Sequence, residues 1–190
     1  MMDYDNSKVE AIAGHYREIL RLLGEDVDRE GLLKTPERAA KAMLYATSGY
    51  GRTAAEVING ALFEAPGQGM IVVKNIEFYS LCEHHILPFF GHISIGYLPT
   101  DKIIGISKLA RLADMFARRL QVQERFTEEV CAELMKSLDC RGVIARCEAH
   151  HMCMKMRGVE KQDSTTVTIC KKGVFATDSS LAAEFLTSLR

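Results

Sequence analysis

Three observations predict an α+β fold built on an antiparallel sheet. Apolar residues in the first third recur at helical spacing. After Ala65-Pro66-Gly67-Gln68-Gly69, segments rich in β-branched and aromatic residues take over. From there the order is two strands, two helices, two strands and a closing helix. A chain of 190 residues with 47% hydrophobic content can bury a core in one domain with a smaller appendage. We expect a helical N-terminal portion over residues 1–65 and a sheet-bearing domain over residues 66–190.

The elements follow in order. Val9, Ile12, Ala13, Tyr16, Ile19, Leu20 and Leu23 predict a helix over residues 7–23, stopped by Gly24. A polar loop leads to Thr35, read as the cap of a second helix with Pro36 in its first turn. That helix runs to about Thr47, and Thr53 caps a shorter one through Ile58. Residues 70–79 and 89–98 read as strands, Ser107 as the cap of a helix through Leu120, and residues 127–138 as the next helix. Strands over 142–148 and 165–170 precede a helix over 178–189 capped by Asp178.

Composition excludes several classes. A formal charge of −1 argues against a general nucleic-acid binder, and no apolar run reaches membrane-spanning length. The start Met1-Met2-Asp3-Tyr4-Asp5 lacks the basic and apolar regions of a signal peptide. Six cysteines are too sparse for a disulfide scaffold, and histidines beside two of them favour a metal in a reducing compartment. The expected location is the cytoplasm.

The chemistry concentrates in two clusters. Ser80-Leu81-Cys82-Glu83-His84-His85 precedes the brake Ile86-Leu87-Pro88, and a tight turn can aim Cys82 and His85 at one cation. Zinc suits such mixed S/N donors. His150-His151-Met152-Cys153 closes a later apolar run, where His151 and Cys153 share a side if the run is a strand. Cys82, His85, His151 and Cys153 would make a closed structural site. Alternatively three of them hold the metal, the fourth position stays open, and the remaining imidazoles move protons. Spacing alone leaves both open, although His84 and His150 have no role in the closed site.

Candidate substrate contacts lie elsewhere. No Gly-rich phosphate loop is present. Lys108 and Arg111, at i and i+3, share one face at a helix start that also favours anions, and Arg157 adds a third cation. Arg118-Arg119 reads as a solvated face. Gln123-Glu124 falls in the break between the central helices. There Glu124 can accept paired N–H bonds from a guanine edge, or simply favour the following helix dipole.

Long stretches of the chain resemble the GTP cyclohydrolase I family. They are Gly24-Glu25-Asp26, Arg29 to Pro36, Ser80 to His85 with Leu87-Pro88-Phe89, Gly105 to Arg111, Phe116 to Arg125, His151 to Met154 and Arg157-Gly158-Val159. The resemblance implies the tunnelling fold, an antiparallel sheet with two helices packed on one face behind a helical N-terminal portion. It implies a homo-oligomer, a decamer of two face-to-face pentamers with sites between subunits, acting on GTP. It implies zinc held by Cys82, His85 and Cys153, with His84 and His151 free. Glu124, helped by Gln123, would grip guanine, while Lys108, Arg111 and Arg157 hold the triphosphate, some of them from a neighbouring subunit, and Ser107 also contacts the substrate. Metal-activated water would attack guanine C8, His151 would protonate N7, and formate would leave. Ser107 and His84 would serve the later ribose rearrangement to 7,8-dihydroneopterin triphosphate; His150 receives no role.

Rivals fit less well. A pterin synthase would be expected to show three zinc histidines, and a deazaguanine nitrile reductase a cysteine nucleophile without zinc. A non-enzymatic zinc-stabilised regulator is opposed by the intact His84, His151 and Glu124.

Overall fold

The computed structural model describes residues 4–190; the first three residues of the start, considered above for a signal peptide, lie outside them. The chain forms two compact units, Met1–Ser48 and Gly49–Arg190. In the first, α1 (Asn6–Leu22) begins at Asp5, whose carboxylate accepts from the Ser7 and Lys8 amides at 3.0 and 3.4 Å. Helix α2 (Thr35–Ala46) has Pro36 in its first turn. Thr35 does not cap it: the Thr35 hydroxyl donates back to the Gly31 carbonyl at 3.3 Å, and Lys34 precedes the helix without a side-chain bond. Val9, Pro36 and Ala40 are the buried residues of this pair.

Along the chain the division falls after Ser48, upstream of the Ala65–Gly69 turn, and residues 54–64 belong to the sheet-bearing unit. Helix α3 (Ala54–Ile58) carries the expected Thr53 cap, completed as a capping box by Glu56. Strand β1 (Leu62–Glu64) pairs antiparallel with β4 (Lys102–Ile104), which ties this segment to the start of α4 (Ile106–Ala117).

The main sheet has the order β5-β2-β3-β6-β7. Strands β2 (Ile71–Cys82), β3 (Pro88–Leu98), β6 (Gly142–His151) and β7 (Thr166–Gly173) run antiparallel to their neighbours. Short β5 (Leu120–Gln121) adds parallel to the end of β2. One face is apolar and covered by α4 and α5 (Gln123–Leu138): Phe78, Phe89, Ile93, Ile95, Leu109, Leu112, Phe126, Val130 and Leu134 are all buried there. At period two the same strands turn Glu77, Tyr79, His92, Arg146 and Glu148 to the opposite, polar face. Helices α7 (Val174–Thr177) and α8 (Ser179–Ser188) form a second core with Leu98, Ile144, Phe175, Ala182 and Phe185. Asp178 caps α8 as expected.

At Gly91 on β3, an added Cβ would lie 2.0 Å from the Glu148 carbonyl oxygen of β6. That neighbour is backbone and cannot rotate away. Gly91→Ala should therefore cost about 1–3 kcal/mol, the usual scale of overpacking. Urea unfolding would show this as a lower midpoint at unchanged slope.

Candidate metal centre and active site

Strand β2 ends at Cys82, and the five residues to Pro88 close a tight turn. The Cys82 amide donates to Leu87 O at 2.8 Å, while the His85 and Ile86 amides donate to Cys82 O at 3.3 and 2.8 Å. Ile86 has φ +55°, a left-handed conformation that a β-branched residue adopts only under constraint. These bonds supply the constraint, and the turn directs both Cys82 and His85 to one point. The Cys82 Sγ lies 3.8 Å from His84 Nδ1 and 3.9 Å from His85 Nδ1.

The second cluster arrives differently from the expected strand. β6 ends at His151, and Met152–Lys155 forms a single helical turn, α6. His151 and Cys153 therefore do not share a strand side. Instead the turn swings Cys153 toward β2, since β6 is separated from β2 only by β3. The ligand atoms of Cys82, His85 and Cys153 lie within 4.8 Å of one another, the one such group among the described residues. Burial, then the neighbouring Cys82 thiol, pushes Cys153 up, so two thiolates here need a cation between them. Two sulfurs and one imidazole fit a borderline-soft divalent ion with an open fourth position. The other cysteines are core residues: burial pushes Cys147 up to about 12, and Cys131 is also raised, by its bond to Cys170 and by burial.

A supporting network, unread from sequence, holds the turn. Arg125 donates to Glu83 inside the Cys82–His85 segment, to Gln121 Oε1 at 2.9 Å and to Leu120 O at 3.1 Å. Gln121 in turn donates to Phe116 O at 3.1 Å and Glu129 at 2.8 Å. The signal was present in Glu83 and Arg125, each adjacent to a candidate residue, but their pairing spans 42 positions.

His151 lies beside the cluster. Its ring is parallel to Phe89, with centroids 4.7 Å apart, and its Nε2 is 2.8 Å from Gln123 Oε1. Burial holds the imidazole below its usual pKa, against the opposing pull of Glu124. Glu124 is exposed in the first turn of α5, so both sequence readings of it are compatible with its position. Gln123 is 1% exposed, and its side chain points into the protein. His84 is exposed, 4.0 Å from Glu83, and Arg157 is exposed past α6.

Ser107, Lys108 and Arg111 are not gathered here. Helix α4 starts at Ile106 after Gly105, with no side-chain cap from Ser107. Its first turn lies by β1 and α3, where Lys108 Nζ donates to Val57 O at 2.9 Å. Its far end, about 18 Å away by helical rise, is the one beside the cluster, where Ser80 bonds Arg119 O at 3.4 Å. Arg119 is also not a solvated charge: its guanidinium lies over Phe116 at 5.0 Å and donates to Gly49 O at 3.2 Å.

A Cys-His-Cys cluster with uncommitted histidines, at the end of an antiparallel sheet backed by helices, defines a candidate mononuclear metalloenzyme centre. Residues 12–190 match the family model described as GTP cyclohydrolase I, so the chain belongs to that family and is an enzyme. It is 52% identical to GTP cyclohydrolase 1 1 of Pseudomonas aeruginosa, covering 93% of this chain and 95% of the relative. Identity is 49% to GTP cyclohydrolase 1 of Chromohalobacter salexigens, over 94% and 97%. It is 53% to GTP cyclohydrolase 1 of Drosophila melanogaster, over 92% of this chain and 54% of that one. Among the described residues, no helix is long and apolar enough to cross a membrane.

Proposed function

We propose that the chain hydrolyses GTP to 7,8-dihydroneopterin triphosphate and formate, the first step of tetrahydrofolate or tetrahydrobiopterin synthesis. The observation that carries this reading is the convergence of Cys82, His85 and Cys153, with His151 beside them. These three residues would hold zinc, which when bound supplies a Lewis acid that activates water near neutral pH. Two waters enter, one at each hydrolysis at C8, and one leaves on ring closure.

The chain's own residues do the rest. Glu124 accepts the paired N–H donors of the guanine edge and so orients C8 toward the metal cluster. His151 donates a proton to N7 as the imidazole ring opens. His84, on the exposed turn, and Ser107 handle protons in the ribose rearrangement. Arg157 meets the triphosphate from the same chain. Ser107, Lys108 and Arg111, a helix length away from the cluster, reach it from a second copy in a decamer of two pentamers. The six free thiols suit a reducing cytoplasm.

Formate release from GTP by the zinc-loaded protein tests the reading, and a zinc-loaded protein that releases none overturns it. Glu124→Gln tests the base contact. It replaces an ionic double acceptor with an amide that mismatches one N–H, so kcat/KM should fall about 10- to 100-fold, or roughly 1.5–3 kcal/mol. Zinc content and unfolding midpoint should not change. Unaltered kinetics would leave Glu124 as a helix-start charge only.

A further inference from the structure

The side chain of Gln123 is consumed inside the protein. Its Nε2 lies 3.2 Å from Cys147 O, 3.0 Å from Thr166 O and 3.2 Å from Thr168 Oγ1. Two of these partners are backbone carbonyls, which can only accept, so the amide nitrogen must face them and the amide cannot be flipped. Its Oε1 is thereby fixed toward His151 Nε2 at 2.8 Å, and an oxygen there requires that nitrogen to be the donor. Phe89, stacked within 3° of parallel, fixes the plane of the imidazole.

From this chain of bonds we infer that Gln123 is a positioning residue: it locks the resting His151 as the Nε2–H tautomer and leaves Nδ1 facing substrate, as the ring nitrogen that takes a proton from the attacking water and passes it on to N7. The inference rests on the proposed role of His151 for its consequence in catalysis, though not for the tautomer itself. It also revises the expectation that the Gln123 side chain grips guanine. With 1% of its surface exposed and both ends of the amide engaged, it has no group left to offer a base. The first turn of α5 then divides its labour: Gln123 turns inward to orient the imidazole, and Glu124, next in sequence, turns outward.

Two measurements on the full-length protein test this. The first is the nitrogen-15 spectrum of histidine-labelled wild type, zinc-free and zinc-loaded, with the His151 signals assigned by their loss in His151→Ala. A neutral ring protonated on Nε2 is expected; a ring protonated on Nδ1, or an even mixture, overturns the inference. The second is Gln123→Met, which keeps length and removes every hydrogen bond of the amide, beside Thr168→Val, which removes one peripheral amide contact and the 2.7 Å bond to the Thr127 hydroxyl but leaves the bond to His151.

Gln123→Met should lose its tautomer preference and lower kcat roughly 10- to 100-fold, the scale for an outer partner that orients a functional imidazole. Its KM for GTP and its zinc content should stay as in wild type. Thr168→Val should match wild type in tautomer and kcat, which excludes general loosening of the core. A raised KM with unchanged kcat in Gln123→Met would instead make Gln123 a guanine contact and overturn the proposal. Should Gln123→Met not fold, the wild-type spectrum still decides. Should wild type release no formate, the proposed function fails while the tautomer remains measurable.

Discussion

Replacing either thiolate, as Cys82→Ser or Cys153→Ser, should leave the protein without zinc and without formate release. The two sulfurs and the His85 imidazole converge within 4.8 Å, and among the described residues no fourth protein donor joins that group to compensate. A serine hydroxyl matches the thiol closely in size but stays protonated at neutral pH, so it offers the cation neither charge nor softness. The loss should exceed the ~10²-fold that bounds the effect of outer-shell partners. Cys140→Ser is the informative contrast. Cys140 is buried and bonded to Gly142 O at 3.7 Å, well removed in the fold, and its replacement should retain stoichiometric zinc. Metal analysis alongside the formate assay reads both. Full occupancy in either Cys82→Ser or Cys153→Ser would overturn the ligand assignment.

The sheet and its helices were legible because their signals are local. Alternation along Ile76, Phe78 and Ser80, and the 3.6 spacing through α4 and α5, each lie within one element. The Thr53 and Asp178 caps were readable for the same reason. What escaped is non-local or irregular. The one-turn helix at Met152–Lys155 interrupts a run that reads as strand, and only the packed turn shows that Cys153 bends back toward β2. Helix α5 starts four residues earlier than its periodicity suggested, since Val122 has no capping side chain and Gln123 is apolar neither by type nor by pattern. Its burial is decided by three acceptors, one on β6 and two on β7, 24 to 45 positions away. Arg119 looked like half of a solvated pair until Phe116 and Tyr50 closed over it. Spacing offered four candidate ligands and left closed and open coordination unseparated; in the fold the donor atoms of three of them, Cys82, His85 and Cys153, converge.

His151→Ala separates those two coordinations and should produce the second large effect. In a closed Cys2His2 site the imidazole binds metal, and its removal depletes zinc. In the open site it carries a proton, and its removal leaves zinc in place. The geometry favours the second outcome. His151 stands outside the three residues whose donor atoms converge, its Nε2 is engaged by Gln123 at 2.8 Å, and its ring is stacked on Phe89. The variant leaves Glu124, the proposed guanine contact, in place, so GTP affinity should persist. The rate should fall at least ~10²-fold, the usual scale for a lost general acid. Removing the ring also uncovers Phe89, and a modest drop in unfolding midpoint is expected from lost packing; it should not depend on zinc. Zinc stoichiometry, GTP affinity and formate release on this single variant decide the matter. Zinc depletion would restore the closed structural site, and with it a protein that keeps the fold without turning over substrate.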